Sequence, residues 1–234
     1  LGISTALIYP PGSYATTREL IEMAKAMAPY HGGYITHMRS EDDSLYEAMD
    51  EAFRIAREGG VTLDIYHLKA AGRTNWPKAA GMVRKIDSAR ASGLDVAATM
   101  YPYAASGNNL SSCFPTWVAE GGRLLPNLRD SATRARVVAE MKRTGSCDPS
   151  VSSHAVMGFT RAELKKYEGW RIDQIMADMN LPSYDAVIEL TLAEEDRLGK
   201  INFSMNEENV AMLLKRPWVV IGSDAGGHDP DSAR

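Results

Sequence analysis

The chain has 234 residues, of which 44% are apolar and 24% charged, and its formal net charge at pH 7 is −4. This composition is typical of a soluble globular protein with a sizeable core, and the mild acidity gives no reason to favour DNA or lipid. No apolar run approaches the roughly 18 residues that a membrane span needs. We therefore expect neither nucleic acid nor a membrane as a partner.

The cysteines bear on the cellular location of the protein, and the two ends of the chain bear on whether it is part of a longer protein. Cys113 and Cys147 lie in loop-like surroundings without a CxxC pair, which predicts no disulfide and a reducing, cytoplasmic location. Leu1 opens directly into a strand-like run, and "DPDSAR" ends the chain in a loop. We therefore expect a piece of a longer protein, with any signal peptide upstream of it.

Strand-like runs alternate with helical patterns from the start of the chain. Thr16 and Glu19 form a capping box before the first helical pattern, and Gly59-Gly60 ends the second. Asn75, with Pro77 in the first turn, is a candidate cap for the third. The strand-like runs occupy residues 2–9, 33–38, 61–68, 94–101 and 218–224.

The spacing of these elements predicts the fold class. The first four strands recur about every 30 residues with a helix between them, which is typical of parallel βα units. The fifth strand comes only after a long excursion, residues 104–217. Its capping boxes, Thr160–Glu163 and Ser204–Glu207, predict a mostly helical segment that inserts into the barrel or covers its mouth.

Two of the strand-like runs end in a histidine. His37 and His67 are 67 − 37 = 30 residues apart, at equivalent ends of neighbouring strands. In a βα barrel the carboxyl ends of the strands converge on one mouth, where Asp224 at the end of the fifth run would join them. Two imidazoles and a carboxylate suit Zn²⁺, which lowers the pKa of a bound water to about 7.

Other interpretations of these residues stay open. A lone histidine at a strand end is more often a hydrogen-bonded structural residue than a ligand, and spacing alone allows a structural or electrostatic role. Strand alternation predicts that Lys69 points the same way as His67 and that Asp64 faces the helices. We assign no metal to the remaining histidines, which are His31, His154 and His228.

Six motifs follow one another along nearly the whole chain: "STALIYPPGSYATT", "THMRSE", "HLKAAGRTNW", "YPYAAS", "KKYEG" and "RPWVVIGSDA". In order and spacing they resemble the N-acyl-D-amino-acid deacylases (D-aminoacylases) of the amidohydrolase superfamily. The resemblance implies an α/β fold in which residues 1–234 form strands four to eight of a (β/α)8 barrel. It also implies a zinc-dependent hydrolase that cleaves the amide bond of small N-acyl-D-amino acids.

The resemblance assigns roles to five residues. It implies that His37 and His67 are metal ligands, and that Asp224 both binds metal and moves the proton in catalysis. It implies that Lys69 and Tyr101 hold the α-carboxylate of the substrate. The family's first-strand H-x-H pair and the cysteine after it have no counterpart in these residues, so the resemblance allows one or two Zn²⁺ ions.

Two further classes of function compete with the deacylase. A hydrolase of cyclic amides would carry a lysine in the first strand-like run, and that run has none. A non-catalytic binding protein on the same barrel would lack the metal.

Leu110, Phe114 and Trp117 lie in the segment expected over the mouth, so we expect a pocket for an apolar substrate side chain.

Overall fold

The computed structural model describes residues 2–147 and 154–225. Each strand-like run of the sequence contains a strand, and the described part of the long excursion contains three more. The strands are Gly2–Ala6 (β1), Gly33–His37 (β2), Thr62–Ile65 (β3), Val96–Met100 (β4), Ser106–Asn109 (β5), His154–Met157 (β6), Gly199–Asn202 (β7) and Val219–Ile221 (β8).

The helices separate these strands along the chain. They are Thr17–Met27 (α1), Leu45–Gly59 (α2), Ala79–Ala91 (α3), Leu124–Arg129 (α4), Ser131–Thr144 (α5), Ile172–Met179 (α6), Ser183–Ala193 (α7) and Glu207–Leu214 (α8). The chain divides into two compact units, and the second consists of Tyr9–Tyr14 and Ala104–Met205. The remaining residues form the first unit.

The first unit is a parallel α/β sheet. Its strands lie in the order β1-β2-β3-β4-β8, and every neighbouring pair is parallel. Helices α1, α2 and α3 connect successive strands and pack against them, and α8 packs against β4 and β8. The predicted fold class, α/β with a parallel sheet, is therefore confirmed.

Local sequence signals account for two helix ends of the first unit but not for the start of its third helix. Thr16 and Glu19 form the predicted capping box at the start of α1. Gly60 adopts φ 69° after α2, a left-handed conformation that suits glycine. The predicted cap at Asn75 is wrong, because Asn75 is buried and its amide donates to Asp43 and to the Ala71 carbonyl.

The two faces of the parallel sheet differ in burial. Leu63 and Ile65 of β3 are buried, whereas Asp64 between them is only partly covered. Asp64 pairs with Ile35, and residues opposite each other share a face, so Asp64 lies on the face of Ile35 and not toward the helices. The predicted orientation was therefore wrong. Burial, with a smaller effect of Asp95, raises the pKa of Asp64.

The second unit combines helices with a small sheet that the sequence patterns did not predict. Strands β5, β7 and β6 form an antiparallel sheet beside α4 to α7. The two predicted capping boxes do not form. The N–H and hydroxyl of Thr160 donate to Glu194, and the N-cap of α8 is Asn206, whose side chain accepts from Asn209.

The cysteines of the second unit are paired. Cys113 and Cys147 form a disulfide across 34 residues of sequence, so the prediction of unpaired cysteines was wrong. His154 is fully buried beside them, and one ligand atom of each of these three residues lies within 4.8 Å of the others. Disulfides are uncommon in reducing compartments, and the cytoplasmic location stays a prediction.

The segment expected to line an apolar substrate pocket lies in the core of the second unit. Leu110 is 1% exposed and Phe114 7%, and both belong to its buried cluster. Trp117 packs against that cluster and donates its ring N–H to Glu140. These side chains stabilise the unit, so they no longer support an apolar substrate preference. In the described part of the chain, no helix has the length and apolar character to cross a membrane.

Candidate metal centre

His37 is the last residue of β2. It pairs with Ala6 of β1, and its side chain is half-buried at the carboxyl edge of the sheet. The Nδ1 atom lies 3.0 Å from the Met38 carbonyl oxygen. A carbonyl only accepts, so Nδ1 carries the proton and the lone pair of the neutral ring is on Nε2. Burial is the main cause that lowers the pKa of His37, which favours this neutral form.

His67 reaches the same place from the next strand. It follows β3 by two residues and has φ 35°, so the strand alternation used in the prediction does not extend to it. Its backbone N–H donates to Thr99 Oγ1 at 2.8 Å, which holds the turn against β4. The His37 and His67 rings meet edge to face, with their centroids 4.5 Å apart.

Glu41 is a buried carboxylate beside these rings that the sequence analysis did not select. Its Oε1 lies 2.6 Å from Lys69 Nζ and 2.9 Å from His67 Nδ1, and its side chain is 10% exposed. Desolvation is the largest influence and raises the pKa, but Lys69 and the hydrogen bond from His67 outweigh it and lower the pKa of Glu41 to about 2. Glu41 is therefore ionised at neutral pH.

Lys69 is the cation of this cluster. Its Nζ lies 2.8 Å from His67 Nδ1 and donates to the His67 carbonyl at 3.0 Å as well as to Glu41. The residue is only 5% exposed, so its charge depends on the carboxylate. The structure thus brings together Lys69 and His67, as the sequence predicted, although neither lies in a strand.

Tyr101 is the aromatic neighbour of His67 and Lys69 in this cluster. It follows β4 directly and is 2% exposed. Its ring centroid lies 6.2 Å from that of His67, and Lys69 Nζ lies 5.6 Å above the ring. Tyr103, which is half-exposed, stacks on Tyr101 at 5.5 Å. Lys69 and Tyr101 are therefore neighbours at the carboxyl edge of the sheet.

Asp224 lies beyond β8, at the same edge of the sheet but on its outer strand. It is exposed and has φ 54°. The compact group of metal-ligand atoms, all within 4.8 Å of one another, consists of His37, Glu41 and His67. Within residues 2–147 and 154–225, that group does not include Asp224. His228 lies outside the described residues.

The donor set at this edge fits a metal ion. The His37 ring offers an Nε2 lone pair, the His67 ring and the Glu41 carboxylate lie beside it, and imidazole with carboxylate is a ligand set of Zn²⁺. A lysine and a tyrosine beside them suit an anionic group of a small substrate. Fold and site together define an α/β protein with a candidate metal centre at the carboxyl ends of its parallel strands.

Comparison with known proteins identifies relatives of this chain. It is 37% identical over 229 residues to N-acyl-D-glutamate deacylase of Alcaligenes xylosoxydans xylosoxydans. It is 31% identical over 229 residues to D-aminoacylase of the same organism, and both alignments cover 98% of this chain. No family profile matches the chain. The resemblance to N-acyl-D-amino-acid deacylases is thus confirmed.

Solved structures agree with these relatives. A D-aminoacylase studied for its binuclear metal centre superposes with a TM-score of 0.70 at 28% identity, over 95% of this chain and 38% of that protein. The chain spans 39% of the length of the two curated relatives.

Proposed function

We propose that this chain supplies strands four to eight of an amidohydrolase-type (β/α)8 barrel that hydrolyses N-acyl-D-amino acids. The observation that carries the proposal is the meeting of the His37 and His67 rings, 4.5 Å apart, beside the buried Lys69. The parallel order β1-β2-β3-β4-β8 supports the barrel, since β4 and β8 are neighbours although the second unit lies between them in sequence. Residues 104–217 are then an insertion between the last two barrel strands.

The metal ligands in this proposal are His37 and His67 through Nε2, together with Asp224. One or two Zn²⁺ ions fit this donor set, with the remaining ligands outside these residues. When bound, the ion polarises the acyl carbonyl and makes water more acidic. The Nδ1 contacts of the two rings, to the Met38 carbonyl and to Glu41, would leave the Nε2 lone pairs free to hold the ion.

Lys69 and Tyr101 bind the substrate α-carboxylate. The Lys69 ammonium has three N–H donors, and Glu41 and the His67 carbonyl take two of them. When His67 Nδ1 carries the proton and so does not accept from Lys69, the third N–H is available for an anionic group that approaches from the mouth. A carboxylate fixed there, beside the Tyr101 ring, orients the chiral carbon and helps to select the D configuration.

Asp224 carries the proton. Its carboxylate accepts a proton from the attacking water and then donates it to the nitrogen of the leaving amine. The exposed position of Asp224 beyond β8 is compatible with this role, because substrate reaches the carboxyl edge from solvent. The products are a carboxylate and a free D-amino acid.

The test uses a polypeptide that carries these 234 residues together with the other barrel strands, loaded with zinc. The measurement is release of amino acid from N-acetyl-D- and N-acetyl-L-amino acids with apolar and acidic side chains, with hydantoin and dihydroorotate in the same panel. We expect turnover of the D-amino-acid derivatives only. The Asp224→Asn variant should retain most substrate affinity and lose turnover, and the isolated 234-residue chain should be inactive.

Three results would reject the proposal. Equal turnover of D and L substrates would remove the stereochemical role, and turnover of cyclic amides alone would favour the competing hydrolase. Absence of both zinc binding and turnover of every substrate would favour the binding protein. Near-normal rates in Asp224→Asn would specifically exclude its role in proton transfer.

A further inference from the structure

Two groups compete for one nitrogen of His67. Glu41 Oε1 lies 2.9 Å from His67 Nδ1, and Lys69 Nζ lies 2.8 Å from the same atom. A carboxylate only accepts hydrogen bonds, whereas an ammonium only donates them. The neutral imidazole can therefore satisfy one of these neighbours at Nδ1, and which one it satisfies determines its tautomer.

The two tautomers have opposite consequences at the far side of the ring. If Nδ1 accepts from Lys69, the proton is on Nε2, and Nε2 has no lone pair for a metal. If Nδ1–H donates to Glu41, the lone pair is on Nε2 and faces away from the carboxylate. Only the second tautomer allows His67 to act as the ligand that the proposed function requires.

The position of Glu41 is set by more than its side chain. The Glu41 carbonyl accepts the Ala71 N–H at 2.7 Å, which joins the loop after β2 to the loop after β3. The same Oε1 that contacts Nδ1 also accepts from Lys69 at 2.6 Å. One oxygen therefore attracts both donors, so Lys69 has a better acceptor than the imidazole.

We propose that Glu41 is a positioning residue that sets His67 in its Nδ1–H tautomer by accepting from both His67 and Lys69. Without this carboxylate, the nearest partner of Nδ1 is the Lys69 ammonium, which selects the tautomer that cannot bind metal. Glu41 contacts neither substrate nor reacting atoms in this scheme. The inference rests on the proposed function only in taking His67 as a metal ligand.

The test compares two substitutions of Glu41 in the zinc-free protein that carries the whole barrel. Glu41→Gln keeps an oxygen acceptor, whereas Glu41→Met has a similar length and no acceptor. The tautomer of His67 is measured from ¹⁵N chemical shifts of ¹⁵N-histidine-labelled protein, and the zinc Kd by competition with a chelator. We expect Glu41→Met to move the proton to Nε2 and to raise the zinc Kd about 10- to 100-fold.

Glu41→Gln should keep the Nδ1–H tautomer and raise the zinc Kd by much less. The double variant Glu41→Met/Lys69→Met removes the competing donor together with the carboxylate, so we expect it to recover most of the zinc affinity. Recovery also shows that Glu41→Met did not lose zinc by failing to fold, which circular dichroism checks directly.

A matched control is Glu194→Met in the second unit. Glu194 is also buried and accepts from the backbone of Thr160 and Arg161, so its loss disturbs a loop without touching an imidazole. It should leave the His67 tautomer unchanged. The proposal is overturned if Glu41→Met keeps the Nδ1–H tautomer, or if the double variant binds zinc as weakly as Glu41→Met.

Failure of the proposed function gives a different experimental result from failure of this inference. In that case the wild-type protein binds no zinc and releases no D-amino acid, while the tautomer measurement still decides the role of Glu41. Wild-type zinc binding and turnover with a tautomer unaffected by Glu41→Met would reject only the present inference.

Discussion

Among the residues that the structure describes, each unit buries one lysine, and the two lysines have different partners. Lys69 in the first unit is 5% exposed and lies 2.6 Å from the Glu41 carboxylate. Lys200 in the second unit is 7% exposed, and its Nζ lies 3.3 Å from Cys147 Sγ of the disulfide. Burial alone lowers the pKa of Lys200 to about 8.

The difference shows how burial acts on a charge. A carboxylate within hydrogen-bond distance offsets the loss of water around Lys69, whereas a disulfide sulfur is a weak acceptor and offsets little around Lys200. The first arrangement keeps a cation where an anionic substrate is expected. The second makes the ammonium of Lys200 easier to deprotonate inside a structural core, and we assign it no catalytic role.

The largest expected effect distinguishes the proposed histidine ligands of the first unit from His154 of the second unit. Replacing His37 or His67 with alanine removes a proposed ligand of an ion that supplies several kcal/mol of transition-state stabilisation. We expect zinc to be lost and deacylation to fall by about 10³-fold or more, as measured by metal analysis and kcat/KM. His154→Gln in the second unit should retain zinc and turnover, and a similar loss there would show that the site is wrongly placed.

The next prediction compares the two lysines directly. Lys69→Met leaves the Glu41 carboxylate buried without its cation, which should lower the free energy of unfolding by about 3–5 kcal/mol. Lys200→Met replaces a desolvated amine with an apolar side chain of similar length, so we expect a neutral or stabilising effect. Urea unfolding of both variants measures the difference. Equal destabilisation would mean that the two lysines are held in the same way.

Reduction of the disulfide should affect one unit only. Loss of the Cys113–Cys147 link, by a reductant or by Cys113→Ser/Cys147→Ser, should lower the stability of the second unit by about 2–4 kcal/mol. The zinc Kd of the first unit should not change, because its proposed ligands lie outside Ala104–Met205. A parallel loss of zinc would show that the two units are coupled.

The smallest effect is on the pH dependence of stability. The pKa of Lys200 is about 8 in the folded state, below the 10.5 of an ordinary lysine, so the unfolded state binds more protons between these values. Stability should therefore rise with pH across this window, by about 1 kcal/mol between pH 7 and pH 9. Lys200→Met should remove this part of the slope in unfolding measured at several pH values. An identical slope in wild type and variant would contradict the assignment.

Local sequence signals predicted the strands well because a buried parallel strand needs only a short apolar run between a helix end and a turn. The same reasoning placed His37 and His67 at one edge, since equivalent strand ends meet in any parallel sheet. It missed Glu41, which follows β2 in a loop where acidic residues are common. Its partner Lys69 is 28 residues away, a distance that no local pattern covers.

Long-range contacts also account for the errors in the second unit. The Cys113–Cys147 bond and the β5-β7-β6 sheet join segments that are far apart in sequence. The sequence at Thr160 matches a capping box, but in the structure the Thr160 hydroxyl donates to the carboxylate of Glu194 instead. Leu110 was expected to line a pocket over the mouth, as an exposed loop residue can. In the structure it is buried, because an apolar side chain gains more free energy when a core excludes water from it.

By itself, the sequence determined the class of fold, the order of strands and helices in the first unit, and the two histidines at a shared sheet edge. These follow from interactions within one element or between neighbouring elements, whose period and spacing are visible in the residues. Only the tertiary structure decided which carboxylate supports His67, how each buried lysine is stabilised, and that the cysteines pair. Those outcomes depend on desolvation, which exists only after distant segments have packed together.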